Sequence, residues 1–129
     1  MARLFLMIQT HHKRAAIKRQ LGDHYEQQAC DLLINAGLRL LCKNFNSRFG
    51  EIDLIMQEGE TFVFIEVRYR GNAEFGGALA SITRGKQQRI IKAAKFYLSQ
   101  HPFEVYCRFD VVAFEPQQDP IWLKNAFQE

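Results

Sequence analysis

The chain of 129 residues is poor in cysteine and contains no long hydrophobic run. Its three cysteines, Cys30, Cys42 and Cys107, stand too far apart for a disulfide framework or a CxxC metal site, so we expect buried, reduced thiols. The apolar run Leu4 to Ile8 is shorter than the roughly 7 to 15 residues of a signal-peptide core, and nothing approaches the ~18 apolar residues of a membrane span. The sequence therefore predicts a cytoplasmic protein without a membrane partner.

A strong charge of either sign is also lacking, as are internal repeats and low-complexity segments. Basic residues number 17 and acidic residues 14, and the resulting net charge of +3 neither requires nor excludes a nucleic-acid partner. Hydrophobic residues at 47% and charged residues at 24% are ordinary for a soluble globular protein. At this length we expect a single domain, residues 20–129, preceded by a basic tail or extra helical turn, residues 1–19.

The apolar periodicity predicts two helices and five strands. The first helix runs from Leu21 to a stop at Gly37. The second begins at Ser81 or Thr83, either of which can cap it, and ends before Pro102. The predicted strands, in chain order, are residues 38–45, 51–58, 61–69, 104–115 and, as a short edge strand, 121–127, with a loop over residues 71–79.

The second and third strand runs are joined by a short turn and are predicted to form a hairpin. The third run is apolar on both faces, which is typical of a central strand covered on both sides. Alternation along the second run puts Ile52 and Leu54 on one face. Asp53 and Ile55 then lie on the other face.

Acidic side chains interrupt both strands of this hairpin. Asp53 and Glu66 can be brought opposite or diagonal to each other, where their charges repel unless a cation relieves them. Oxygen ligands favour Mg²⁺ or Mn²⁺ over zinc, and such an ion can support phosphodiester hydrolysis by polarising a phosphoryl oxygen and activating a water. The alternative is a salt-bridged surface, in which Asp53 closes a turn and Glu66 pairs with Arg68 or Arg70.

A third carboxylate lies on the first helix. Glu26 falls about 80° from the centre of the apolar stripe, so it borders the buried face of that helix. Charged residues commonly occupy such borders, and an ordinary flanking role remains open.

Over Leu21 to Ala113 the sequence resembles the YraN-type family of small bacterial proteins. The resemblance is carried by GDHYEQQA, GEIDLI, FIEVRYR, a lysine in the following helix, and RFDVV near the end. That family is similar to archaeal Holliday junction resolvases and to the wider PD-(D/E)xK nuclease superfamily. The resemblance implies an α/β, restriction-endonuclease-like fold, in which a central mixed β-sheet is flanked by helices.

The resemblance also implies a set of metal ligands. The motif aspartate falls on Asp53, and the acid of the E-x-K motif falls on Glu66. The helical acid of the resolvases falls on Glu26. These three carboxylates are the implied ligands of Mg²⁺ or Mn²⁺.

One motif position departs from the superfamily. The motif lysine is Arg68 here, and a guanidinium can orient a water or stabilise a phosphorane but cannot accept a proton. In some superfamily members this lysine has moved to the next helix, where Lys86 is the candidate. Gln87 resembles the helix glutamine that supports the active site in several relatives.

Basic residues flank the acidic strands and are candidates to hold a phosphate backbone. They occupy the turn before the hairpin, the loop after it and the start of the second helix: Arg48, Arg70, Arg84, Lys86 and Arg89. Taken singly, each is more often a solvated surface charge. Since the sequence shows neither a helix for reading the major groove nor an aromatic stacking platform, we expect recognition of backbone shape and not of base sequence.

Three hypotheses follow, in decreasing order of support. The first is a Mg²⁺-dependent nucleic-acid endonuclease that acts on branched or distorted DNA, with a homodimer expected if two strands are cut. The second is a non-catalytic nucleic-acid-binding or protein-interaction module that keeps the nuclease fold, which Arg68 favours. The third is a structural adaptor that uses an exposed helix.

Overall fold

The computed structural model describes residues 2–71, 77–101 and 103–129, with only the backbone described for residues 2–12. The elements, in chain order, are α1 (Ala2–Asn35), β1 (Arg39–Ser47), β2 (Gly50–Glu58), β3 (Thr61–Tyr69), α2 (Gly77–Ala80), α3 (Arg84–Leu98), β4 (Tyr106–Phe114) and β5 (Ile121–Phe127). Among these described elements, no helix is long and apolar enough to cross a membrane.

The strands form one mixed sheet in the order β1-β2-β3-β4-β5. The first three strands are an antiparallel meander, β3 and β4 are parallel, and β4 and β5 are antiparallel. The parallel pair is joined by a crossover that contains α2 and α3. The predicted α/β class is thus confirmed, the architecture is consistent with a restriction-endonuclease-like fold, and β3 is central, as predicted.

Each face of the sheet is covered by a helix and has its own hydrophobic core. The core beneath α3 combines apolar residues of that helix with one face of β2, β3 and β4, including Ile52, Phe64 and Ile91. The core beneath α1 includes Leu33, from the helix, and Ile65, from the opposite face of β3. Because β3 contributes to both cores, an acidic side chain on this strand enters a buried environment.

Helix α1 is much longer than the periodicity indicated. It begins at Ala2, so the predicted start at Leu21 was wrong. The preceding segment contains alanine, lysine, arginine and glutamine, which favour helix, but its apolar residues are concentrated in Leu4 to Ile8 and do not recur at helical spacing. The predicted stop is confirmed: Gly37 has φ 101°, and the N–H of Leu38 donates to the carbonyl of Leu33 at 3.0 Å.

Helix α3 begins where its capping residue predicts. The hydroxyl of Thr83 accepts the N–H of Lys86 at 3.2 Å, so of the two predicted caps Thr83 is the one used. The predicted loop 71–79 was wrong in its last part, since Gly77–Ala80 forms a helical turn whose Ala78 N–H donates to the carboxylate of Glu115 at 3.0 Å. Residues 72–76 of that loop lie outside the described residues.

Two predictions of burial need correction. Only Cys30 is buried, whereas Cys42 is partly buried and Cys107, at the exposed start of β4, is exposed. Ile52 packs beneath α3, whereas Leu54 packs beneath α1, so strict alternation fails between them. The failure coincides with the end of the ladder between β2 and β3, and it lies at Asp53.

Candidate functional site

The hairpin of β2 and β3 brings two carboxylates together where its ladder ends. The last paired residues are Leu54 and Ile65, and the same register would set Asp53 opposite Glu66. Instead of continuing the ladder, Asp53 accepts the backbone N–H of Val67 on its Oδ2 at 2.8 Å. The side chain therefore replaces a main-chain acceptor, which holds its carboxylate beside Glu66.

Helix α1 adds the third carboxylate. The carboxyl groups of Glu26 and Asp53 come within hydrogen-bonding reach of each other, and two carboxyl groups can share a hydrogen bond only when one of them is protonated. With its amide nitrogen facing the acids, Asn44 donates to Glu26 Oε2 and Glu51 Oε1, both at 3.0 Å. Asn44 has φ 53°, which asparagine tolerates better than most residues. Sequence reasoning missed Asn44, and nothing in its surroundings along the chain marks it.

The electrostatics of the cluster favour retention of a proton at neutral pH. Burial, followed by the charge of Glu66, raises the pKa of Asp53 from 3.8 to about 8, while the Val67 N–H opposes the rise. Burial likewise raises the pKa of Glu26. A divalent cation would relieve the same repulsion that the proton now relieves.

Glu66 is deeply placed and faces two cations. It is 5% exposed, and its Oε1 lies 3.1 Å from Lys86 Nζ and 3.2 Å from Arg68 Nε. Arg68 Nε is buried, and among the described residues Glu66 is its charge partner, although no well-directed hydrogen bond joins the two. The pairing of Glu66 with Arg68 that the salt-bridge alternative predicted is therefore present, in the same place as the carboxylate cluster.

The carboxylate cluster opens on both sides. A cleft of about 560 Å³ on the α1 side is lined by Lys18, Leu21, Gly22, Tyr25, Glu26, Asp53, Glu66, Val67, Arg68, Tyr69, Arg70 and Lys86. A smaller depression of about 150 Å³ is lined by Gly50, Glu51, Asp53, Glu66, Lys86, Arg89 and Ile90. Asp53, Glu66 and Lys86 belong to both linings and so form the wall between the two spaces.

The structure brings only some of the other predicted residues to this wall. Gln87 lies one residue beyond Lys86, but its amide donates to the carbonyl of Ile82 at 3.3 Å, and neither described lining includes it. Its predicted supporting role stays a prediction without a direct contact to the acids.

Only three of the five basic residues predicted to contact phosphate lie beside the carboxylate cluster. Arg70 and Lys86 line the larger cleft and Arg89 the smaller one. Arg48 lies over the ring of its neighbour Phe49, 4.9 Å from the centroid, and Arg84 lines a separate depression on the outer side of α3. Lys18, which the sequence assigned to the tail, joins the larger cleft because α1 extends through it.

Two aromatic rings, one from α1 and one from β3, also line the larger cleft. Tyr25 and Tyr69 stack with centroids 4.4 Å apart and ring planes 9° apart, and Tyr25 also packs against Phe114. The sequence showed no aromatic platform because the two rings come from different elements, far apart along the chain.

The donor set of the cluster fits a hard divalent cation, since every acid offers oxygen. Within the described ranges, however, no three His, Cys, Asp or Glu side chains are grouped closely enough to hold a metal as they stand. Glu66 turns toward its cations and Asp53 toward Glu26. Binding of Mg²⁺ or Mn²⁺ would therefore require the shared proton to leave and the acids to turn inward.

Comparison with known proteins connects the chain to small bacterial proteins. The model of the Uncharacterised protein family UPF0102 matches residues 25–114, a span that contains the whole carboxylate cluster. A UPF0102 protein of Psychromonas ingrahamii is 53% identical over 105 residues, covering 81% of this chain and 86% of that protein. A UPF0102 protein of Aeromonas hydrophila is 51% identical over 109 residues, covering 82% and 83%. UPF0102 protein YraN of Escherichia coli is 50% identical over 119 residues, covering 90% of each chain.

Proposed function

The chain belongs to the UPF0102 family, and we propose that it is a metal-dependent endonuclease that hydrolyses phosphodiester bonds in nucleic acid. The observation that carries the proposal is the grouping of the carboxyl groups of Glu26 and Asp53 beside the buried Glu66 at an open cleft. A protein gains no stability from crowding acids in this way, because each must be desolvated near the others. A perturbed acid cluster in a cleft is characteristic of functional sites.

The metal ligands in this proposal are Asp53, Glu66 and Glu26, with Mg²⁺ or Mn²⁺ as the ion. When bound, the ion supplies Lewis-acid polarisation of the phosphoryl oxygen and lowers the pKa of a bound water. One or two carboxylates with waters and a substrate phosphate are enough for Mg²⁺. Release of the proton that the raised pKa of Asp53 retains at neutral pH leaves all three ligands as carboxylates, the form that binds a metal ion.

The two basic residues beside Glu66, Arg68 and Lys86, have different roles in this proposal. Arg68 stays charged and its side chain lines the larger cleft, so its guanidinium can donate to a phosphate oxygen as negative charge develops there. Lys86 lies 3.1 Å from Glu66 and lines both sides of the wall, so its ammonium can orient the attacking water. The two residues together take the part that one lysine has in the motif.

The partner in this proposal is a nucleic-acid strand, and DNA is the form we expect. Arg70 and Lys18 lie along the larger cleft and Arg89 beside the smaller one, so positive charge surrounds the acids. Contacts of this kind position a phosphate backbone without reading its sequence. Cleavage of two strands at a branch would need two such sites, so we also propose a homodimer.

A cleavage assay tests the proposal. Branched, single-stranded and duplex DNA would be incubated with Mg²⁺ or Mn²⁺ and, in parallel, with EDTA. We expect metal-dependent cleavage that Asp53→Ala or Glu66→Gln lowers by about a hundredfold or more, while Glu104→Gln, an exposed acid before β4, cleaves like the wild type. Absence of metal-dependent cleavage, or equal cleavage by the Asp53→Ala variant, would sink the proposal.

One observation favours a second candidate, a non-catalytic nucleic-acid-binding or protein-interaction module. Glu66 is already neutralised by Lys86 and Arg68 at 3.1 and 3.2 Å, which weakens its need for a metal. Binding of branched DNA in EDTA that survives Glu66→Gln, with no cleavage under any condition, would support this candidate over the nuclease.

A further inference from the structure

The stacked tyrosines Tyr25 and Tyr69 have no part in the metal chemistry, yet they line the same cleft as the carboxylates. Tyr25 is half-buried between Tyr69 and Phe114, so core packing accounts for it. Tyr69 is different, because it remains 39% exposed although one ring face lies on Tyr25. Tyr69 is also one of the residues that line the cleft.

The position of Tyr69 relative to the acids suits a nucleotide next to the cleaved one. Glu66 and Tyr69 are three residues apart on β3, which corresponds to about 10 Å along the strand. A nucleic-acid strand with a phosphate at Glu66 can therefore reach Tyr69 with the base of a neighbouring nucleotide.

The cleft also offers charge and space along this path. Arg68 and Arg70 flank Tyr69 in the chain and line the cleft, where they can hold the phosphate between the two nucleotides. Gly22 of α1 also lines the cleft, and it has no heavy atom within 4 Å of where its side chain would begin, so this part of the cleft is not filled by the described side chains. An exposed aromatic ring flanked by basic side chains is the combination that binds single-stranded nucleic acid.

We propose that the Tyr25–Tyr69 pair is a stacking platform for an unpaired base. The preferred substrate is then nucleic acid with an unpaired nucleotide next to the scissile phosphate, such as the single-stranded arm of a branch; this substrate class rests on the proposed nuclease function. Bases inside an uninterrupted duplex are stacked on their neighbours and offer no free face to Tyr69. The platform thus distinguishes unpaired from paired strands, which phosphate contacts alone do not.

Binding measured in EDTA tests the platform separately from cleavage. A single-stranded oligonucleotide carrying a fluorescent adenine analogue and a fully paired duplex of the same length would be titrated with wild-type protein, Tyr69→Leu and Tyr69→Phe. We expect Tyr69→Leu to weaken single-strand binding by about tenfold, the loss typical of one base–aromatic stack, with duplex binding unchanged. Tyr69→Phe keeps the ring and should bind like the wild type.

Tyr106→Leu is the matched control. Tyr106 is 74% exposed and pairs with Thr61, at the other end of β3 from Tyr69, so its loss should not alter binding. Salt dependence separates stacking from charge: Arg70→Gln should lower the slope of log affinity against log salt concentration by about one, whereas Tyr69→Leu should leave that slope unchanged. Unfolding midpoints of all variants would confirm that each one folds.

Each outcome bears on one proposal. Single-strand binding by Tyr69→Leu at wild-type strength, or an equal loss for single strand and duplex, would overturn the platform even if the wild type cleaves DNA. A selective loss of single-strand binding by Tyr69→Leu supports the platform, and it does so even if no metal-dependent cleavage is found and the nuclease proposal fails.

Discussion

Replacement of Asp53 by asparagine should stabilise the protein at alkaline pH, although it removes a proposed metal ligand. The pKa of Asp53 is raised from 3.8 to about 8, first by burial and then by the charge of Glu66. Between these pH values the folded protein keeps a proton that the unfolded chain has released, so the free energy of unfolding falls as the pH rises. Because asparagine does not titrate in this range, the free energy of unfolding of the variant lacks this pH-dependent loss.

The magnitude follows from the width of the pH window. Each pH unit between 3.8 and about 8 costs at most about 1.4 kcal/mol. Because the cleft is open to water, which screens the charge, we expect about half of that limit, a total of about 2–3 kcal/mol. The asparagine oxygen can still accept the Val67 N–H, and its amide can donate to Glu26 where the shared proton now lies.

Urea unfolding in EDTA at about pH 5, pH 7 and pH 9 measures the effect. The difference in free energy of unfolding between Asp53→Asn and the wild type should grow from about pH 5 to about pH 8 and then level off, so that it is largest at about pH 9. Glu104→Gln, which neutralises an exposed acid outside the cleft, should track the wild type at every pH. Parallel curves for Asp53→Asn and the wild type, or a variant that is less stable at the highest pH, would refute the electrostatic reasoning.

Three further changes test other parts of the structure. At ten times its dissociation constant, Mn²⁺ should raise the free energy of unfolding of the wild type by about 1.4 kcal/mol and that of Asp53→Asn much less; an equal rise in calorimetry would place the ion elsewhere. Lys86→Met should lower DNA cleavage by about a hundredfold, with cleavage at the wild-type rate as the contrary result. Asp110, fully buried, accepts hydrogen bonds from Arg108 and Trp122, so Asp110→Ala should cost about 3–5 kcal/mol in urea unfolding, and a loss below about 1 kcal/mol would contradict this account.

Local sequence patterns determined most of the secondary structure. Alternating apolar residues predicted the strands, and Gly37 predicted the end of α1. Two capping residues, Ser81 and Thr83, predicted the start of α3, which begins after Thr83. Each of these signals acts within a few residues of itself, because capping, left-handed turns and strand alternation depend on immediate neighbours. Where such a signal was absent, as before Leu21, the boundary was missed.

The candidate residues were also found in the sequence, since an acid such as Glu66 within an apolar strand is conspicuous wherever the strand packs. The spatial arrangement of these residues could not be predicted from the sequence. The ladder between β2 and β3 ends at Leu54, and the Asp53 side chain accepts the Val67 N–H beyond that point. Only the packing of α1 on the sheet brings Glu26 close to Asp53. No local sequence pattern predicts this contact between α1 and β2.

Tertiary structure likewise decided which basic residues face the acids and which aromatic rings meet. Arg89 lies beside the acids and Arg84 does not, although both are on α3, because five positions separate them around the helix. Tyr25 and Tyr69 stack only because α1 crosses the end of β3. The sequence by itself determined the elements and the chemistry they carry, whereas the site and its aromatic wall depend on contacts between distant residues, which exist only once the register and the packing are set.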